Sequence, residues 1–218
     1  MSRTILDHIL NTGIIAILRA DQSAKLLKAL EAIKAGGVTV AEITLTTPNA
    51  LAVIAQAREQ FGAEMMIGVG TVLDAESARA AIQAGAQFVV SPTIKRSTIK
   101  LCRRYSIPVM PGAYTPTEIL TAWEEGADIV KLFPADIGGA AYLKAVKAPL
   151  PQVRITPTGG VDEHTAADFL RAGASALGVG SALVNQKLLD ADNYEEISAR
   201  AGRLRQIYDA FRSGVTFS

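Results

Sequence analysis

Apolar positions along the chain follow two alternating rhythms. Short β-rich runs of four or five residues stand at Ile14–Leu18, Val40–Thr44, Met66–Val69, Phe88–Ser91, Pro108–Pro111, Ile129–Phe133, Val153–Thr156 and Ala176–Val179. Between them, stretches such as Ser23 to Ala35 and Asp74 to Ala84 carry apolar residues at helical spacing behind Ser or Asp starts. Eight strands joined by helical crossovers predict a parallel sheet, and eight is the closing number of a barrel. The expectation is an α/β fold, a single (β/α)8 TIM barrel over residues 1–218 with an N-terminal helix.

A weak internal repeat favours the barrel over an open doubly wound sheet. Ala35-Gly36-Gly37-Val38, Ala84-Gly85-Ala86, Glu125-Gly126-Ala127 and Ala172-Gly173-Ala174 share one pattern, with gaps of 49, 41 and 47 residues between their first glycines. Each gap is the length of about two βα units. Each glycine stands where a helix must end, and glycine supplies a left-handed cap without a Cβ penalty.

Composition adds exclusions. The 218 residues are 49% hydrophobic and 20% charged with a net charge of +1, which predicts a large core and gives no sign of nucleic acid or an anionic membrane as partner. No apolar run is long enough to span a bilayer, and Met1 to Leu10, with Arg3, Asp7 and His8, lacks the apolar stretch of a signal peptide. Cys102 is the lone cysteine, so no disulfide can form within the chain. It reads as a small core residue in a reducing compartment, and the expected location is the cytoplasm.

In a barrel, chemistry collects at the carboxyl ends of the strands. Lys131 lies inside the apolar run Ile129-Val130-Lys131-Leu132-Phe133-Pro134. A lysine there is expensive to bury charged, so a neutral or paired amine is expected, and a neutral amine can attack a carbonyl. An internal salt bridge, or snorkelling out at the strand end, fits the same pattern. Glu42 shares one face of its strand with Val40 and Thr44 by the period of two. It is a candidate general acid/base, a buried partner for Lys131, or both. Arg19 closes the first strand, where a guanidinium either grips a carboxylate or stands in solvent. The glycine-rich segments Thr156–Val161 and Gly178–Ala182 follow the seventh and eighth strands, where this fold often binds phosphate through backbone N–H groups. Gly68-Val69-Gly70-Thr71 resembles a third such turn. His8 and His164 are the only histidines and read as surface residues, and no cluster has metal-ligand spacing. Trp123 fits a helix packed on the barrel.

Taken in order, Glu42-Ile43-Thr44, Gly68-Val69-Gly70-Thr71-Val72, Ser91-Pro92, Pro111-Gly112, Thr115-Pro116-Thr117-Glu118, Lys131-Leu132-Phe133-Pro134-Ala135 and Pro157-Thr158-Gly159-Gly160-Val161 resemble the 2-keto-3-deoxy-6-phosphogluconate (KDPG) / 4-hydroxy-2-oxoglutarate (KHG) aldolase family. The resemblance runs from Ile14 to about Val184. It implies a homotrimeric class I aldolase of carbohydrate metabolism, of the Entner–Doudoroff type, that acts on a small 2-keto acid and needs neither metal nor organic cofactor. By position, Lys131 matches the Schiff-base lysine and Glu42 the acid/base. Thr71 matches a position near the substrate carboxylate, Thr158, Gly159, Gly160 and Ser181 match the phosphate-binding turns, and Pro92 and Phe133 match pocket packing. Some members hold the substrate carboxylate with an arginine shortly after the Glu-x-Thr of the second strand. This chain has Thr46 there, so the role passes to Arg19. Two rivals stand beside this reading: a phosphate-binding barrel isomerase or synthase without a Schiff base, and a non-catalytic metabolite-binding barrel.

Overall fold

The computed structural model describes residues 2–214; Met1 and residues 215–218 of the expected domain lie outside the described residues. Helix α1 (Ser2–Thr12) opens the chain and leads directly into strand β1 (Ile14–Leu18). Strands β2 (Val40–Thr44), β3 (Met66–Gly70), β4 (Val89–Val90) and β5 (Val109–Met110) join β1 and the late strand β9 (Leu177–Val179) in one curled sheet. Its order is β5-β4-β3-β2-β1-β9, with every pairing parallel. A second parallel sheet, β6-β7-β8, holds Gly112–Ala113, Val130–Leu132 and Ile155–Pro157. Only Pro111 separates β5 from β6, and one parallel bridge, Thr158 to Gly178, links the end of β8 to β9.

Every predicted run overlaps a strand, though several bounds move. The fifth run ends at Pro111, and the strand resumes beyond it as β6: proline has no N–H to give the ladder, while its carbonyl still accepts from Lys131 N at 3.0 Å. The seventh begins two residues later than expected, because Val153 is held in a turn by its N–H bond to the Leu150 carbonyl.

Strand alternation sorts the side chains into two cores. Ala41 and Ile43 of β2 face outward into the large cluster beneath the helices. Val40 faces inward, with Ile15, Phe88, Val90, Met110, Ile129 and Ala176, in a separate cluster inside the curl. Ile5 and Ile9 of α1 complete that inner cluster, so the N-terminal helix plugs the amino end of the strands. The long helix α10 (Tyr194–Arg212) ties this plug down: Arg205 Nη1 donates to the Thr12 carbonyl at 2.6 Å, and Tyr208 Oη donates to the Leu10 carbonyl at 3.0 Å.

The helices begin and end as their sequences dictate. Asp74 caps α4 (Ala75–Gln83) by accepting from Ser77 N at 2.6 Å, and Thr115 with Glu118 forms a capping box at α6 (Pro116–Glu124). Gly37, Gly85, Gly126 and Gly173 are left-handed, and each following N–H reaches the carbonyl five residues back. One detail corrects the repeat: Gly36 has φ −79°, so the left-handed cap there is Gly37. Gly36 is needed for packing, since a Cβ on it would sit 2.4 Å from the Ser198 carbonyl of α10.

Helix α5 (Arg96–Arg104) ends in the same geometry with a serine. Ser106 has φ 55°, and Ile107 N donates to the Cys102 carbonyl at 2.9 Å. A left-handed conformation costs a side-chain-bearing residue roughly 1–2 kcal/mol, and glycine returns about 0.4–1 kcal/mol of that through its freer unfolded state. Ser106→Gly is therefore expected to stabilise the protein by up to about 1 kcal/mol, read as a higher midpoint in thermal unfolding. A lower midpoint would show that the serine contributes something this geometry does not display.

Candidate active site

A cleft of about 990 Å³ opens at the carboxyl ends of the strands. All ten candidate residues line it: Arg19, Glu42, Thr71, Pro92, Lys131, Phe133, Thr158, Gly159, Gly160 and Ser181. Each arrives by a local rule. Ile15 and Ile17 face into the curl, and two residues on, past the end of β1, Arg19 reaches the cleft mouth. Glu42 and Thr44 continue the inward face of Val40 on β2, and Lys131 is the middle residue of β7. Thr71 and Pro92 follow β3 and β4, and the glycine-rich turns follow β8 and β9.

Glu42 and Lys131 are 1% and 7% exposed, two ionisable groups within one largely apolar interior. No ion pair joins them among the described residues, so the salt-bridge alternative is not what the geometry displays. Lys131 Nζ instead stands 4.8 Å from the centroid of the Phe133 ring. Burial pushes the Glu42 carboxyl above its ordinary range, and the nearby Lys131 cation opposes that shift only in part.

The glycines before Thr71 correct one expectation. Gly68 and Gly70 lie within β3 and form no turn. Their bare backbones admit neighbouring side chains: a Cβ on Gly70 would lie 2.5 Å from Glu42 Oε1, and one on Gly68 would lie 2.4 Å from the Phe88 ring. β3 is thus the thin wall against which the acid sits. Thr71 leaves that strand with φ 59°, a strained conformation for a β-branched residue, placed at the cleft.

The two glycine turns present donors. Gly159 and Gly160 have φ 98° and 67°, and the N–H groups of Gly159, Gly160, Ser181 and Ala182 have no protein acceptor among the described residues. All four residues edge the cleft. The first turn is pinned where Ala135 N donates to the Thr158 carbonyl at 2.8 Å. Past the end of β1, the direct neighbour of β9, the Arg19 guanidinium has no ion-pair or hydrogen-bond partner among the described residues. Thr46 is exposed, bonds to Thr44 Oγ1 at 3.0 Å and does not line the cleft. The cleft therefore has a cationic rim at Arg19, a buried amine and carboxyl at its floor, and a cradle of N–H donors at β8 and β9.

Sequence reasoning missed Ile17, Asp21, Asp162 and Asn185, which also line the cleft. Period two from Arg19 would have found Ile17; the loop residues carry no such signal. His8 is half-buried, with Nε2 3.2 Å from Thr39 Oγ1, which corrects its surface assignment. His164 is exposed, as expected, and precedes α8 (Ala166–Arg171). Cys102 is fully buried and burial pushes its thiol up to about 12, which leaves it no nucleophilic role at neutral pH. Among the described residues, no group of three or more His, Cys, Asp or Glu side chains is placed to hold a metal ion.

The model of the KDPG and KHG aldolase family matches residues 5–200. The 2-dehydro-3-deoxy-phosphogluconate aldolase of Pseudomonas aeruginosa is 39% identical over 158 residues, 72% of this chain and 71% of that one. The KHG/KDPG aldolase of Escherichia coli K12 is 35% identical over 204 residues, 91% of this chain and 94% of that one. Among solved structures, the KDPG aldolase of Legionella pneumophila, with pyruvate captured at low pH as a covalent carbinolamine, matches with a TM-score of 0.85 and 27% identity. That match covers 94% of this chain and 98% of the other.

The buried carboxyl has a consequence for stability. Its raised position means that the folded state holds the proton more tightly than the unfolded chain does. Stability therefore falls as pH rises from the ordinary value of 4.5 through the folded-state value. Glu42→Gln removes the buried charge, so the variant is expected to melt above wild type at about pH 8, by about 2–4 °C per kcal/mol relieved. The difference should shrink as pH falls toward 4.5. A variant that melts below wild type at about pH 8 would show that the Lys131 attraction outweighs the burial cost.

Proposed function

The chain belongs to the KDPG and KHG aldolase family, and from this we propose that Lys131 is its Schiff-base lysine and Glu42 its acid/base. The enzyme is a class I aldolase, a carbon–carbon lyase acting on a small 2-keto acid. The observation that carries the residue assignment is the burial of one amine and one carboxyl and, among the described residues, of no other ionisable side chains, at the floor of the same cleft. Our reading of the substrate is 2-keto-3-deoxy-6-phosphogluconate, cleaved reversibly to pyruvate and glyceraldehyde 3-phosphate. A related 2-keto-4-hydroxy acid would give pyruvate and an aldehyde such as glyoxylate.

In this reading the Lys131 amine attacks the C2 ketone, and loss of water leaves a protonated imine. Glu42, as carboxylate, takes the C4 hydroxyl proton while the C3–C4 bond breaks. The bond's electrons flow into the imine, the aldehyde departs and a pyruvate enamine remains on Lys131. Glu42, now protonated, returns its proton to C3, and water hydrolyses the imine to pyruvate and free amine. The imine supplies the electron sink. Arg19 and Thr71 hold the substrate carboxylate, and Thr158, Gly159, Gly160 and Ser181 hold the phosphate at the other end. Pro92 and Phe133 shape the wall beside the imine.

The finer architecture belongs to the same proposal. We read the two sheets as one closed (β/α)8 barrel domain, continuous through Pro111 and closed at the Thr158–Gly178 bridge. We read the assembly as a homotrimer; Leu73 and Ile137, 57% and 74% exposed in loops at the cleft end, supply apolar surface for it. Among the described residues no helix is long and apolar enough to cross a membrane, and the single buried thiol accords with a cytoplasmic enzyme.

Borohydride reduction with pyruvate is expected to leave one adduct per chain, on Lys131, by peptide mass spectrometry. An adduct on Lys95 or Lys144, or none, overturns the assignment. Lys131→Arg keeps the charge and should abolish both labelling and cleavage.

Ser181→Glu tests the phosphate end. It places negative charge in the donor cradle, so kcat/KM should fall far more for the phosphorylated sugar acid than for 4-hydroxy-2-oxoglutarate. Equal losses would mean that the turn is no phosphate site and would move the unphosphorylated substrate ahead.

A further inference from the structure

The cleft does not end at Lys131. Below it a small void of about 10 Å³ lies between Glu42, Lys131 and Thr156 above and Ile15, Val90 and Met110 below. That is about the space one water centre occupies. Thr156 is the register partner of Lys131 across β7 and β8, and it is 3% exposed. Its Oγ1 is one of two buried side-chain polar atoms with no hydrogen-bond partner among the described residues. A buried hydroxyl without a partner is unfavourable, and a void of one-water size that also reaches Glu42 and Lys131 offers room for one.

We propose that Thr156 is a positioning residue of this aldolase: its hydroxyl seats one water beneath the cleft floor, and that water donates a hydrogen bond to the Glu42 carboxylate. The inference rests on the assignment of Lys131 and Glu42 above. Thr156 touches neither substrate nor the reacting atoms and acts through Glu42. The surroundings of Glu42 leave few other donors. β3 presents only the bare Gly70, β1 presents Ile17 with Arg19 and the nearby Asp21 at the mouth, and β9 presents Gly178. Lys131 from β7 is the one other buried charge, and Thr156 and Thr158 bring the hydroxyls of β8 and the turn after it. Burial raises the cost of Glu42's negative charge, and a fixed donor below it lowers that cost while leaving the upper side open to substrate.

The test compares wild type, Thr156→Val, which keeps the volume and removes the hydroxyl, and Thr156→Ser, which keeps the hydroxyl. The readout is the pH dependence of pyruvate methyl-proton exchange in deuterated water, with borohydride labelling of Lys131 in parallel. In Thr156→Val the acid limb of the exchange profile should move up by about one pH unit or more, the scale of a lost hydrogen bond to a charge. In Thr156→Ser it should stay at the wild-type position. Normal labelling of Lys131 with an unmoved acid limb in Thr156→Val overturns this inference alone, even if the variant melts lower. Failure of wild type to label Lys131 overturns the aldolase assignment and this inference with it. A crystal structure decides the matter should Thr156→Val not fold: an ordered water bonded to Thr156 Oγ1 and Glu42 supports the proposal, and a well-ordered site without one overturns it.

Discussion

Housing two ionisable side chains inside a curled sheet is the constraint on which the rest of this molecule depends. The lower interior is hydrocarbon, built from Ile15, Val40, Phe88, Val90, Met110 and Ile129 and plugged by Ile5 and Ile9. One residue pair further along the same strands, the inward face turns polar at Glu42, Thr44 and Lys131. The strands manage this without any change of register, because period two carries the inward face from apolar to ionisable within five residues of β2. Space for the carboxyl comes from the neighbouring backbone, where β3 gives up its side chain at Gly70. Packing density inside proteins leaves no other source of room, so a methyl group at that position would compete directly with the acid.

The proposed anion-binding ends of the cleft follow from the same arrangement. With charge at the floor raised in cost by burial, the anionic ends of a substrate are better met at the rim, where water still screens and ligands can leave. The molecule uses two different devices there. Arg19 offers a guanidinium on a flexible stem past the end of β1, while the turns after β8 and the neighbouring β9 offer backbone N–H groups whose positions are fixed by the fold.

Much of this was legible in the sequence because strands and charges obey short periods. The eight runs and the inward Glu42 come from strand patterning, the apolar setting of Lys131 from the run around it, and the cap Asp74 from helix-start chemistry. What stayed hidden depends on neighbours far along the chain. Gly68 and Gly70 looked like a turn because glycine pairs usually are one; only the positions of Phe88 and Glu42 show them to be clearance. Gly36 looked like a cap because its partner in packing, Ser198, lies 162 residues away. Thr71 and Ser106 adopt left-handed backbone without glycine, which propensity argues against. Thr156 read as an ordinary β-branched strand residue, and its unpartnered hydroxyl exists only in three dimensions.

The pairing of β1 with β9, and of α1 with α10, bears on how the chain is made. β1 has one neighbour, β2, available almost at once, but its other edge pairs with Leu177–Val179. The plug helix waits still longer, since its anchors are Arg205 and Tyr208. At ordinary synthesis rates the intervening residues take roughly ten to forty seconds to emerge. Throughout that interval the nascent chain carries an open strand edge beside apolar surface, a form prone to pairing with other chains. The first strand and the first helix are thus the last to be secured.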